Sequence, residues 1–180
     1  MFRGLLLAFA CLISQGLFAQ TQADEPVALV EKITGHIFAE VSENLEEYKA
    51  EPGKLEALVR DELLPLLDIK YSARLILGRA GRGLAPEKVD EFATVMSNLL
   101  VSRYSSGLLE FSSKVDIRVL PQRGELNEKI TRVRTRVTIA DGGEAPVDYA
   151  FRKTPDGLKD FDVIIEGISY VTTYRNLIMP

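Results

Sequence analysis

Hydrophobic residues in the first half of the chain recur at the three- and four-residue spacing of amphipathic helices. Two acidic residues precede Pro26, an arrangement typical of a first helical turn, so a long helix is predicted to begin at Asp24. Its apolar stripe consists of Val30, Ile33, Ile37, Val41 and Leu45. Because acidic residues occupy the opposite side, the pattern predicts a surface helix that packs on a core along one face.

Three more helices are predicted before residue 113. Pro52 begins the second, and Pro65 ends or bends it. Asp68 can cap the third, which stops at Gly78. The fourth opens at Pro86 and has a long apolar and aromatic face, made of Val89, Phe92, Met96, Leu99, Tyr104, Leu108 and Phe111.

After Ser113 the period changes from helical to alternating, which indicates strands. We predict strands within 114–120, 130–140, 146–153 and 158–167, with turns at 141–143 and 154–157 and a last helical piece at 168–176. Helices followed by a meander of about four antiparallel strands predict an α+β domain in which the helices cover one face of the sheet. Such a fold has room for a pocket between its layers.

The first residues have the features of a cleavable export signal. Arg3 supplies the positive charge, an uncharged apolar run follows from Gly4 to Ile13, and small residues occur at Ala19 and Ala23. We therefore predict a signal peptide at residues 1–23 and a single domain at 24–180. The only cysteine, Cys11, lies inside the signal, so the mature chain is expected to lack disulfides and thiol chemistry.

Charge argues against a nucleic-acid partner. Lys and Arg fall from 22 to 21 when the signal is removed, whereas Asp and Glu remain 26, which gives a mature net charge of −5. Nucleic-acid-binding domains are typically basic.

Catalytic and metal-binding motifs are weak. His36 is the only histidine and lies beside an apolar helix position, without the spacing of a triad or a metal site. The glycine-rich segment 78–83 lacks the lysine and Ser/Thr of a phosphate-binding P-loop and follows a helix rather than a strand, so a plain linker is favoured.

Charged residues alternate with apolar ones on two predicted strands, which is typical of a solvated sheet face. On the last strand these residues are Asp160, Asp162 and Glu166. On the second strand they are Arg132, Arg134 and Arg136. The arginine stripe leaves open a second interpretation, in which it binds phosphate or an acidic partner.

Three segments together resemble the MlaC family, also called toluene-tolerance auxiliary proteins. They are "ELLPLLDIKYSARLILGR" at 62–79, "PEKVDEF" at 86–92 with Tyr104 and Leu108 downstream, and "DVIIEGISYVTTYRN" at 162–176. The family is periplasmic and binds phospholipid. The resemblance implies a non-enzymatic carrier, without a cofactor, that exchanges diacyl phospholipid between an outer-membrane lipoprotein–porin complex and an inner-membrane ABC transporter with an MCE-domain ring.

The resemblance also implies that acyl chains lie between the sheet and the helices, in contact with the apolar residues of the inward faces. The candidate lipid-binding residues are Tyr71, Leu75, Phe92, Met96, Leu99, Tyr104, Leu108, Val133, Val137, Tyr149, Phe151, Phe161, Val163, Ile165, Ile168 and Val171. Each is equally consistent with ordinary core packing. Since a charged headgroup avoids burial, Arg74 and Arg175 are candidates for the rim of the cavity.

Two other functions remain open from the sequence. A pocket enzyme, an isomerase or hydrolase, would use Asp160, Asp162 or Glu166, and a carboxylate that faces into the pocket would favour it. The other is a ligand-free periplasmic adaptor of the transporter, which a lipid extract without phospholipid would favour. Members of the family usually continue beyond the "TTYRN" helix into a further C-terminal helical segment, whereas this sequence stops at Pro180, so that segment is expected to be missing.

Overall fold

The computed structural model describes residues 21–111, 116–121, 130–138 and 143–178. Most of the predicted export signal lies outside these residues. The helices are α1 (Thr21–Glu43), α2 (Leu45–Ala50), α3 (Pro52–Leu58), α4 (Ile69–Leu77), α5 (Pro86–Phe111) and α6 (Tyr170–Ile178). A π-helical turn (Val59–Leu63) and a 3₁₀ turn (Leu64–Leu66) join α3 to the segment before α4. No helix in the described ranges is long and apolar enough to cross a membrane.

The strands form one antiparallel meander in the order β1-β2-β3-β4-β5. Their bounds are β1 (Ile117–Val119), β2 (Ile130–Thr138), β3 (Glu144–Thr154), β4 (Gly157–Ile165) and β5 (Ile168–Ser169). The predicted α+β class is confirmed, and the extra strand is the two-residue β5, which pairs with the end of β4. A strand this short is not expected to show alternation, so its residues were assigned to the final helix.

The helix boundaries follow local chemistry closely in the middle of the chain. The Asp68 side chain accepts a hydrogen bond from the backbone amide of Tyr71 (3.1 Å) and caps α4 as predicted. Gly78 ends α4 with a positive φ of 50°. At the N-terminus the helix was predicted to begin at Asp24, whereas α1 begins at Thr21, so that Pro26 lies inside the helix.

The buried apolar residues form three separate clusters. One joins α4, α5 and α6 around Ala73, Ile76, Ala93, Met96 and Val171. The second joins α1 to α2 and α3 around Ile37, Val41, Tyr48 and Leu55. The third packs α1 on the sheet through Val30, Val133 and Phe151. A core divided in this way leaves space where the clusters face one another.

Asp160, Asp162 and Glu166 were predicted to face water, but Asp162 is half-buried and accepts hydrogen bonds from Ser169 and Val171. For Asp160 the prediction is wrong. Its side chain is only 4% exposed. Phe151 pairs with Asp160 whereas Ala150 pairs with Asp162, so β4 carries one extra residue in a β-bulge at Phe161. The bulge shifts the alternation of the strand, and Asp160 joins Val163 and Ile165 on the inner face. Glu166 is exposed, as predicted.

The three arginines of β2 make local contacts. Arg132 lies 3.8 Å from the Asp148 carboxylate. Arg134 donates to the carbonyl of Pro121 (2.6 Å), and Arg136 to that of Thr135 (3.2 Å). His36 is exposed and lies 2.9 Å from the Glu62 carboxylate.

The start of α5 gives a prediction of stability. The residue before the helix is Ala85, whose carbonyl accepts from the amide of Lys88 (2.9 Å) but whose side chain cannot accept from the free amides of the first turn. Ala85→Ser is expected to stabilise the protein by about 1 kcal/mol, because a serine oxygen satisfies one of these amides. Chemical denaturation measures the change, and an unchanged or lower midpoint would contradict this position for the helix start.

Candidate functional site: an apolar cavity between sheet and helices

A cavity of about 390 Å³ lies between the inner face of the sheet and the helices. β3 and β4 form one wall, and α1, α4, α5, α6 and the 59–67 segment form the others. Its apolar and aromatic lining consists of Ile33, Ile37, Phe38, Val59, Leu63, Leu64, Leu67, Ile69, Ile76, Met96, Leu100, Val101, Leu108, Tyr149, Phe161, Val163, Ile165, Tyr170, Val171 and Tyr174. Residues from all the surrounding elements therefore meet around one apolar space.

The polar side chains of the lining are Thr34, Ser72, Asp160 and Asp162. The Thr34 hydroxyl donates to the carbonyl of Val30 (2.6 Å), and the Ser72 hydroxyl donates to that of Phe161 (2.6 Å). Both hydroxyls thus satisfy backbone carbonyls of the wall. Their donor hydrogens are engaged, so they add little polarity to the cavity.

Asp162 ties β4 to the start of α6. Its carboxylate accepts from the hydroxyl of Ser169 (2.6 Å) and from the backbone amide of Val171 (3.0 Å). The negative charge therefore lies at the N-terminus of a helix, where backbone amides stabilise it. Asp162 has a structural role that explains its position in the lining.

Asp160 is a buried carboxyl in an apolar wall. Its pKa is raised to about 8, mainly by burial and also by the charge of Asp162, whereas hydrogen bonds from the backbone amides of Asp162, Ala150 and Phe161 act in the opposite direction. Burial, and then the charge of Asp160, raise the pKa of Tyr149 to about 12. At neutral pH both side chains are mainly uncharged, so neither Asp160 nor Tyr149 adds a full charge to the cavity wall.

Seven of the candidate lipid-binding residues line this cavity. They are Met96, Leu108, Tyr149, Phe161, Val163, Ile165 and Val171. They come from α5, β3, β4 and α6, which the fold brings together as the resemblance implied.

The other candidates lie elsewhere. Val133 and Phe151 belong to the cluster beneath α1, and Leu75 and Phe92 pack on the cluster of α4, α5 and α6. Tyr71 contacts the Phe161 ring edge-on, with ring centroids 5.2 Å apart, and carries the Arg152 guanidinium 4.2 Å above its own ring.

Three of the remaining candidates have described side chains, and none lines the cavity. Val137 pairs with Ile117 at the β1–β2 edge. Leu99 and Ile168 are 50% and 62% exposed, so solvent rather than the core surrounds much of each side chain. Tyr104 belongs to α5, but its side chain lies outside what the structure describes.

Two walls of the cavity were not predicted from the sequence. One is α1, which contributes Ile33, Ile37 and Phe38. The other is the 59–67 segment, whose π-helical and 3₁₀ turns direct Val59 and three leucines inward, namely Leu63, Leu64 and Leu67. The helical stripe of α1 was visible in the sequence, and it was assigned to core packing alone.

Arg74 and Arg175 do not line the apolar cavity. Both belong to a second pocket at the end of α4, which shares no lining residue with the first. The rim that was predicted for them is therefore absent from the described part of this cavity.

Comparisons with known proteins agree with this architecture. The model of the MlaC protein family matches residues 31–179. The chain is 24% identical over 165 residues to the intermembrane phospholipid transport system binding protein MlaC of Haemophilus influenzae, covering 89% of this chain and 74% of that protein. It is 26% identical over 175 residues to the toluene tolerance protein ttg2D of Pseudomonas putida, covering 97% and 79%.

A solved structure has the same fold. The phospholipid-binding protein from Ralstonia solanacearum, determined in complex with a phospholipid, superposes with a TM-score of 0.75 over 83% of each chain at 23% sequence identity. The family model spans most of the described residues, including every wall of the cavity. This chain therefore belongs to the MlaC family.

Proposed function

We propose that this protein is a phospholipid carrier whose apolar cavity holds acyl chains. The cavity between the sheet and the helices is the main support, because its wall is apolar and its polar side chains are engaged with the protein. The relatives add to it, since one is a phospholipid transport binding protein and a structural neighbour was determined with a phospholipid.

The energetics of lipid transfer explain why a carrier needs such a cavity. Burying one methylene is favourable by about 0.8 kcal/mol. Moving a phospholipid with roughly 30 methylenes into water therefore raises its free energy by on the order of 20 kcal/mol. A protein that offers an apolar cavity removes most of this barrier. The cavity must bind the phospholipid about as strongly as a bilayer does, because a site that binds it much more tightly would not release it.

We further propose that the chain works in the periplasm after removal of residues 1–23, as a single domain. Its partners in this proposal are an outer-membrane lipoprotein–porin complex and an inner-membrane MCE-domain ABC transporter. Since a carrier alone only equilibrates lipid between sites, the direction of net transfer comes from the relative affinities of the partners or from ATP hydrolysis.

The carboxyl group that faces the cavity is the observation that favours an enzyme. Asp160 has the raised pKa of a general acid, but the nearest second carboxylate, Asp162, already accepts two hydrogen bonds at the start of α6. The one serine of the lining donates its hydroxyl hydrogen to a backbone carbonyl. We therefore propose a non-enzymatic role.

Organic extraction followed by mass spectrometry tests the carrier and its alternatives together. Protein purified from the periplasmic fraction is expected to yield intact diacyl phospholipid. A clean extract would favour a ligand-free adaptor, and conversion of added phospholipid into lysophospholipid and free fatty acid would favour a hydrolase.

A further inference from the structure

A second pocket, of about 440 Å³, lies where the C-terminus of α4 meets α6. We call it the arginine pocket. It is lined by Arg74, Leu75, Leu77, Gly78, Arg79, Arg82 and Arg175. On α4 its residues alternate with Ile69, Ser72 and Ile76, which line the apolar cavity, so the helix presents one face to each site.

The chain reverses sharply to bring these arginines together. Gly78 ends α4 with φ of 50°, and its amide donates to the carbonyl of Arg74 (3.0 Å). A following turn, in which the amide of Arg82 donates to the carbonyl of Arg79 (3.1 Å), returns two more guanidinium groups to the same place. This turn belongs to the glycine-rich segment 78–83, for which a plain linker was predicted.

Arg175 reaches the arginine pocket from α6. Its Nε donates to the carbonyl of Leu75 (2.7 Å), and its Nη2 donates to the same oxygen. This contact caps the C-terminal carbonyls of α4, which is an ordinary structural role for an arginine. It accounts for Arg175 and leaves Arg74, Arg79 and Arg82 without such an explanation.

The positive charges of the pocket are not neutralised within the described part of the chain. No Asp or Glu lines the pocket, and no ion pair joins a carboxylate to any of its four arginines in these ranges. Elsewhere basic side chains do pair, as Lys70 does with Asp90 (2.6 Å). The protein has a net charge of −4, yet these four arginines lie together without a carboxylate partner among the described residues, and a bound anion would reduce their mutual repulsion.

We propose that the arginine pocket binds the phosphate group of an anionic ligand, at a site separate from the apolar cavity. Guanidinium groups suit this role because their planar forks donate paired hydrogen bonds to phosphate oxygens. Four arginines line the same pocket, so more than one guanidinium group is available to a phosphate bound there. The same chemistry serves a free phosphate ester and the headgroup of an anionic phospholipid at a membrane surface.

The test compares a double variant with a control matched in charge. Arg79→Gln with Arg82→Gln removes two exposed guanidinium groups that make no structural side-chain contact in the described chain. Lys32→Gln with Lys153→Gln removes the same charge from exposed positions outside the pocket. Both double variants are expected to fold and to retain the copurified lipid of the cavity, which separates this site from the carrier function.

Two binding experiments distinguish the sources of phosphate. The first is sedimentation with vesicles of phosphatidylglycerol and phosphatidylcholine, against vesicles of phosphatidylcholine alone. At about 1 kcal/mol for each basic residue at an anionic surface, the arginine double variant should bind phosphatidylglycerol vesicles about 30-fold more weakly than the wild type. The second is thermal unfolding in inorganic phosphate against chloride at equal ionic strength, where phosphate should raise the melting temperature of the wild type and of the lysine control more than that of the arginine double variant.

If the arginine double variant is impaired only in vesicle binding, the pocket is a site for a lipid headgroup. If it is impaired only in its stabilisation by phosphate, the pocket is a site for free phosphate esters. The proposal is overturned if neither probe acts on the wild type, or if the arginine and lysine double variants respond alike in both experiments.

Discussion

Val163→Trp is expected to remove copurifying phospholipid from the protein while leaving the fold intact. Val163 lies on the inner face of β4, opposite Tyr149, and lines the apolar cavity. An indole at this position extends into space that the protein itself leaves empty. If it displaces only two methylenes of an acyl chain, the lost burial of about 1.6 kcal/mol already lowers affinity more than tenfold.

The matched control is Val95→Trp. Val95 is 62% exposed on α5 and does not line the cavity, so the same substitution there adds an indole to the surface. Lipid mass spectrometry after extraction should show about tenfold less phospholipid for Val163→Trp and wild-type amounts for Val95→Trp. Circular dichroism checks that both variants fold. Undiminished lipid in a folded Val163→Trp protein would contradict the proposal that acyl chains occupy this cavity.

Periodicity predicted most of the fold because the helices and strands are amphipathic and their ends carry local signals. Asp68 and Gly78 bound α4 through a side-chain cap and a positive φ, and both residue types are helix-end signals that can be read from the sequence. The meander of β1 to β4 followed from alternation. The split between α1 and α2 at Asn44 was missed, since the apolar spacing continues across it.

The cavity could be predicted only in part, because alternation identifies a face and not what covers it. Val133, Tyr149 and Val163 form one cross-strand row on the inner face of the sheet. Val30 of α1 covers the Val133 end, where Val133 is 1% exposed, whereas the Val163 end borders the cavity. From the sequence pattern, all three residues are predicted only to face the inner side of the sheet. Their different surroundings come from the path of α1 across the sheet, which is a long-range property.

The bulge in β4 shows the same limit for a charged residue. Strict alternation places Asp160 beside Asp162 on the solvent-facing side of the strand. The extra residue at Phe161 moves Asp160 to the inner side of the sheet. Nothing in the local sequence marks that position as a bulge. The error mattered for function, because Asp160 is the carboxyl group that is fully buried among the described lining residues.

Asp160→Asn is expected to make the protein increasingly more stable than the wild type as the pH rises from about 4 to about 8. The unfolded carboxyl group loses its proton near the ordinary pKa of 3.8, whereas burial holds the folded pKa at about 8. Between these values the folded state binds the extra proton, so the contribution of Asp160 to stability falls as the pH rises. Asparagine has nearly the shape of aspartic acid but cannot ionise, so the variant does not lose stability in this way as the pH rises.

Denaturant unfolding at pH 4, 6 and 8 measures the effect. Each pKa unit corresponds to about 1.36 kcal/mol, so the advantage of Asp160→Asn should grow by several kcal/mol, at most about 5, across this range. Asp156→Asn, in the exposed turn between β3 and β4, controls for the general loss of one negative charge. If the two variants follow the same pH profile, Asp160 ionises as freely in the fold as in water, and the wall of the cavity is wetter than its burial indicates.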